Sequence, residues 1–221
     1  MQQAVIFDMD GTLFRTETIL ERALDEAFER LRNEGQWQGA TPIATYRNIM
    51  GVPLPVVWET LLPYHETAVR EATDTYFLMR LVENIKSGNG ALYPGVTALL
   101  EQLSAMGHTI FIASNGLIPY LEAIVSHYGL NRWVTETYSI EQIETLDKGD
   151  LVAQIVAEYD IQDGFVVGDR LSDIVAAKAN GLIAIGCRFY FSQDDELRQA
   201  DHIIDGLAEI LDILATRHVS R

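Results

Sequence analysis

Ala4-Val5-Ile6-Phe7-Asp8-Met9-Asp10-Gly11-Thr12-Leu13 is the stretch on which the rest of the 221-residue chain is organised. Ala4 to Phe7 is a short run of small and apolar residues, the signature of a buried strand. Asp8 and Asp10 follow, two apart, and Gly11 permits a turn that other residues resist. A strand therefore ends with two acids at its tip, and the chain turns away. Residues i and i+2 of an extended chain point the same way, so both carboxylates can face one pocket. Two bare carboxylates that close repel unless a proton or cation lies between them. A divalent metal is one such partner, and a turn carrying two solvated acids is the plain alternative.

Past Thr12 the pattern becomes helical. Thr18-x-x-Glu21 has the spacing of a capping box, and Leu20, Ala23, Leu24, Ala27, Phe28 and Leu31 follow with helical periodicity. Pro42, Pro53, Pro55 and Pro63 divide residues 36–65 into short helices and turns. Residues 66–86 read as one long helix with Val69, Ala72 and Tyr76 on one face and Leu78, Leu81, Val82 and Ile85 on another, hence buried between partners. Ser87-Gly88-Asn89-Gly90 breaks it.

Beyond Tyr93-Pro94-Gly95 strands and helices alternate. The expected strands are 109–113, 133–138, 165–167, 182–185 and 202–204, with a closing helix at 207–215. This alternation implies right-handed βαβ units and a Rossmann-like parallel sheet with helices on both faces, an α/β fold. The expected division is a core of residues 1–15 and 88–221 with an inserted all-helical cap at 16–87.

Thirty-two acids against sixteen bases give a net charge of −16. That argues against nucleic acid or an anionic membrane as a partner, and an anionic substrate needs local positive charge or a metal. Cys187 is the only cysteine, so no intrachain disulfide forms. Without a signal peptide or an apolar run of transmembrane length, the expected location is cytoplasmic. Nothing in the sequence reads out the oligomeric state. His65, His108, His127, His202 and His218 are dispersed without metal-ligand spacing.

In open parallel sheets, ligands bind beyond the carboxyl ends of the strands. Those ends carry Asp8 and Asp10, then Ser114-Asn115-Gly116, then Gly168-Asp169 with Asp173 four residues on. Lys148 opens the helix before that last strand. Each has a dull reading as a turn, a cap or a solvated residue. Together they form the set that phosphoryl transfer through an aspartyl phosphate needs: a carboxylate nucleophile, oxygen ligands for Mg2+, a lysine and hydroxyl donors for phosphate oxygens, and a second acid.

In these residues the chain resembles the haloacid dehalogenase superfamily. Asp8-Met9-Asp10-Gly11-Thr12 resembles its nucleophile motif, and Ser114, Lys148 and Gly168-Asp169-Arg170-Leu171-Ser172-Asp173 match the other three in order and spacing. The resemblance implies Asp8 as nucleophile and Asp10 as general acid and base. It implies Mg2+ held by Asp8, the Asp10 backbone carbonyl and Asp169, with Asp173 contributing directly or through water, and phosphate held by Ser114, Asn115 and Lys148. It also implies that the helical insert is the family's small cap. An acid at Asp10 favours phosphate chemistry over dehalogenation. Lys86 is the only lysine in residues 16–87 and lies at its far end, which disfavours a Schiff-base phosphonate mechanism. Two departures stand out. Lys148 is followed by Gly149-Asp150 where many relatives have proline. Arg15 stands where many have an acid, to bind an anionic substrate or to pair with Glu17. Arg47 is a further cap candidate, able to read phosphate or carboxylate bidentately, or else a solvated helix arginine.

The expected activity is therefore Mg2+-dependent hydrolysis of a small phosphomonoester metabolite. The rival expectations are a phosphosugar mutase similar to beta-phosphoglucomutase, and a catalytically silent relative that binds a phosphorylated ligand or a protein partner.

Overall fold

The computed structural model describes residues 3–49, 52 and 54–219. Met1, Gln2, Met50, Gly51, Pro53, Ser220 and Arg221 lie outside the described residues.

Six parallel strands form one sheet: β1 (Ala4–Phe7), β2 (Thr109–Ser114), β3 (Glu136–Ser139), β4 (Gly164–Gly168), β5 (Ile183–Cys187) and β6 (His202–Ile204). Their order is β3-β2-β1-β4-β5-β6. β1 pairs with β2 on one side (Phe7 opposite Ile112) and β4 on the other (Phe7 opposite Val167). The strand order thus reverses at β1, and the crevice outside its carboxyl end is where such sheets bind ligands.

Strand side chains alternate between two apolar layers. Val5, Phe7, Ile110 and Ile112 share one cluster with α5 (Val96–Ala105), α6 (Ile118–Tyr128) and the closing helix (Glu209–Val219). Ala4, Ile6, Phe111 and Ala113 share the other with α7 (Lys148–Glu158) and α8 (Leu171–Ala179). A sheet covered on both faces explains why its strands read as near-continuous apolar runs.

Among the described residues, four helices lie between β1 and α5: α1 (Glu17–Asn33), α2 (Ile43–Asn48), α3 (Leu54–Leu61) and α4 (Thr67–Lys86). Phe28, Trp58 and Phe77 knit them into the first apolar layer through Met9, Leu13 and Phe14, so sheet and insert share one core.

Four sequence expectations shift. Thr18 caps nothing, because α1 already begins at Glu17 and the Thr18 hydroxyl donates to the Arg15 carbonyl at 2.6 Å. α4 buries a stripe of Thr73, Phe77, Leu81, Asn84 and Ile85 and packs Val69, Tyr76, Leu78 and Val82 half-buried beside it, so of the expected contacts only Ala72 is exposed. Asn84 enters that stripe because its amide donates to the Arg80 carbonyl and accepts from Asn89. The strand expected from Trp133 begins only at Glu136, since Leu130–Arg132 makes a 3-10 turn and pairing with β2 starts at Glu136 opposite Phe111. The closing helix starts at Glu209, whose carboxylate accepts from the Asp205 and Gly206 N–H groups, and runs on to Val219.

Candidate active site

Asp8 extends β1 by one ladder bond, its N–H donating to the Val167 carbonyl at 2.8 Å, so its position is fixed by the sheet. The chain then folds sharply: the Leu13 and Phe14 N–H groups donate to the Met9 carbonyl, and Gly11 donates to Phe14. Gly11 has φ +77°, and a Cβ there would overlap the Asp169 carboxylate. Only glycine serves at this point, on grounds of both conformation and space. At Gly168 a Cβ would likewise overlap the Asp173 carboxylate. The two glycines of the sequence motifs are therefore the room into which the two acids fold.

Asp8, Asp169 and Asp173 are buried, and each offers a carboxylate oxygen within 4.8 Å of the others. Lys148, buried with them, lies 2.5 Å from Asp8 Oδ1 and pairs also with Asp173. Thr12 donates to Asp169 Oδ1 at 3.4 Å, and Asp169 Oδ2 is buried without a partner. An orphaned carboxylate oxygen is costly to bury. Three clustered carboxylates against one lysine leave the group short of positive charge. Hard oxygen donors of this kind suit a small divalent cation, and the buried trio is a group able to hold one.

The electrostatics agree. Burial pushes the Asp8 carboxyl up to about 8; Lys148 works against this and the Asp173 and Asp10 charges add to it. Burial, then Asp8 and Asp173, hold Asp169 well above the usual carboxylate range. Burial opposes the charge on Lys148, yet Asp173 and Asp8 more than offset it and raise its pKa.

Asp10 is held apart from this trio. The Thr16 and Tyr120 hydroxyls each donate to its Oδ1 at 2.5 Å. Burial raises its pKa, and these two hydrogen bonds, then Lys148, pull it back. Ser114 ends β2, its hydroxyl accepting from the Gly116 N–H at 3.0 Å, and Asn115 lines the same cavity. Asp147 caps α7, its carboxylate accepting from Gly149 (2.7 Å) and Asp150 (3.3 Å). A proline after Lys148 could not donate the first of these bonds, so glycine in place of proline belongs to this helix start.

These residues line a cavity of about 760 Å3, open mouth included, between the strand ends and the helical insert. It contains Asp8, Asp10, Ser114, Asn115, Lys148, Asp169 and Asp173 together. Arg15 and Arg47 are not on its wall. Arg15 is exposed and paired with Glu17 at 2.9 Å, and Arg47 pairs with Glu21. The sequence reading missed Thr12, Thr16 and Tyr120. Thr12 sat within the quoted motif. Thr16 and Tyr120 had no local signal, since each matters only through a fold that brings it to Asp10.

The sequence profile of haloacid dehalogenase-like hydrolases matches residues 2–181. A 5'-nucleotidase of Pseudomonas aeruginosa is 26% identical over 215 residues, covering 95% of this chain and 94% of that protein. A phosphoglycolate phosphatase of Agrobacterium fabrum is 24% identical, covering 98% and 94%. Among solved structures, CbbY from Rhodobacter sphaeroides in complex with phosphate superposes with a TM-score of 0.81 at 22% identity, covering 95% of this chain and 96% of that one. A protein described as a predicted phosphoglycolate phosphatase from Haemophilus somnus gives 0.84 at 20% identity, covering 96% and 98%. The profile match spans the buried acids, the lysine and strands β1 to β4, and by it the chain belongs to the haloacid dehalogenase-like hydrolases.

Proposed function

We propose that this protein is a Mg2+-dependent phosphatase that hydrolyses a small phosphomonoester through a phosphoaspartate at Asp8. The observation that carries the reading is the buried trio Asp8, Asp169 and Asp173 held around Lys148 at the sheet's switch point. Asp8, Asp169, Asp173 and the Asp10 carbonyl would hold the cation. Such a cation supplies the positive charge that keeps the carboxylates ionised and neutralises phosphoryl oxygens.

The chain's own groups do the rest. Lys148, Ser114 and Asn115 hold phosphate oxygens at the strand ends. An Asp8 carboxylate oxygen attacks phosphorus in line, forming an acyl phosphate as the P–O bond to the alcohol breaks. Asp10 gives its proton to the departing alkoxide. Asp10, now a base, takes a proton from a water whose oxygen attacks phosphorus. The P–O bond to Asp8 breaks, and phosphate leaves. Thr16 and Tyr120 keep Asp10 oriented through both steps. Residues 16–87 act as the cap, and their approach to the strand ends excludes bulk water from the acyl phosphate.

The relatives named above carry the names 5'-nucleotidase and phosphoglycolate phosphatase, and a CbbY structure is described in complex with xylulose-1,5-bisphosphate. What these names share is a small phosphate ester. The reading is tested by phosphate release from p-nitrophenyl phosphate with Mg2+. Wild-type protein is expected to turn over and Asp8→Asn to be inert. Equal rates for the two would refute the assignment.

A further inference from the structure

The cap side of the cavity is mainly apolar: Leu20 of α1, Leu54 of α3, and Phe77, Leu78 and Leu81 of α4 line it, with the Tyr46 hydroxyl and the Thr16 hydroxyl, which donates to Asp10, as its polar groups. Residues 16–87 contain seven arginines and lysines, and none of them lines the cavity. Arg47 and Arg80 are engaged with Glu21 and Glu26. The three undescribed positions beside Val52 and Leu54 are Met50, Gly51 and Pro53, which carry no charge. On the core side, Lys148 sits at the phosphate end, against Asp8 and Asp173. Arg170 also reaches the wall, but its guanidinium pairs with Glu196 at 3.0 and 3.3 Å, and that carboxylate accepts the Leu171 N–H as well.

We infer that the substrate carries one phosphate on an uncharged, mainly apolar body, and that the cap excludes esters bearing a second anionic group. This rests on the phosphatase reading of the same site. The phosphate end has its lysine and its acidic cation site. The other end offers leucine and aromatic side chains, with no described cation to meet a carboxylate or a second phosphate. An anion brought there loses its water without gaining a cation, in a chain whose net charge of −16 already repels it. An apolar group loses nothing on entry and removes its own surface from water. Specificity here comes from the penalty on the wrong ligand as much as from attraction to the right one.

The test is a matched pair on the wild-type protein with Mg2+: phenyl phosphate against 4-carboxyphenyl phosphate, which differ by one distal carboxylate. The carboxylate makes the phenol the better leaving group, so chemistry alone favours the charged ester. The inference expects kcat/KM for the charged ester to be lower by at least about tenfold. Leu78→Arg places a cation on the apolar wall and is expected to narrow that gap. Leu54→Lys does the same from a second helix, so a folding defect in one variant leaves the other. Equal turnover of the two esters, or preference for the charged one, by the wild-type protein overturns the inference and leaves the phosphatase standing. Failure to release phosphate from either ester overturns the phosphatase reading and the inference with it.

Discussion

Tyr120→Phe removes one oxygen from the site and keeps the ring, which packs edge-on against Phe14 with centroids 6.3 Å apart. That oxygen donates to Asp10 Oδ1 at 2.5 Å, beside the Thr16 hydroxyl at the same distance. A hydrogen bond to a charged group is worth about 1.5–3 kcal/mol, and a pKa unit is about 1.36 kcal/mol. Both hydroxyls stabilise the ionised carboxylate, so loss of one raises the Asp10 pKa. Asp10 must be ionised to take a proton from water. The acid limb of the kcat–pH profile is therefore expected to move to higher pH. Turnover would fall about 10- to 100-fold below the new limb and recover at alkaline pH. The assay is kcat against pH with p-nitrophenyl phosphate, whose leaving group needs little protonation, so that water attack governs the rate. A profile lowered evenly at every pH, or an unmoved limb with only a lower Tm, would refute the coupling and leave Tyr120 a packing residue.

Removal of divalent metal with a chelator is expected to abolish phosphate release and Mg2+ to restore it; full activity of the stripped protein would contradict the cation site. Metal-free protein is also expected to lose stability as pH rises. Asp8 is raised from 3.8 to about 8 in the fold, so between those values the folded state binds more protons than the unfolded one. Stability from this group is present at low pH and lost as pH climbs through about 8. The Tm of the stripped protein should thus fall from pH 5 to 8 more steeply for wild type than for Asp8→Asn, and identical slopes would show that Asp8 is not held protonated.

The sheet and the acids at its strand ends were legible because their signals are local. β1 shows as an apolar run ending in Asp-x-Asp-Gly, and the Gly-Asp ending β4 and the lysine opening α7 stand beside their own strand and cap signals. The boundary of β3 was not, since Trp133 and Val134 are apolar in a turn and a strand alike, and pairing with β2 decides between them. Arg15 and Arg47 illustrate a second limit. An arginine's type says that it can meet an anion, and the fold supplied Glu17 and Glu21 as those anions. The Thr16–Asp10–Tyr120 contact spans 110 residues of sequence, and no spacing rule reaches it. Thr16 also sits at the N-cap of α1, where its hydroxyl serves Asp10 rather than the helix, which is why local capping logic misplaced the cap at Thr18.

Passage of the phosphoryl group through Asp8 can be read from intact-protein mass after a brief reaction with p-nitrophenyl phosphate and an acid quench. Asp10→Asn lacks the base for water attack, which is typically worth about 10²–10⁴-fold, so this variant is expected to accumulate one phosphoryl group. Fragmentation is expected to place that group on Asp8, and Asp8→Asn should gain no mass at all. A phosphoryl adduct on the Asp8→Asn protein, or one mapped to another residue of the Asp10→Asn protein, would contradict the account.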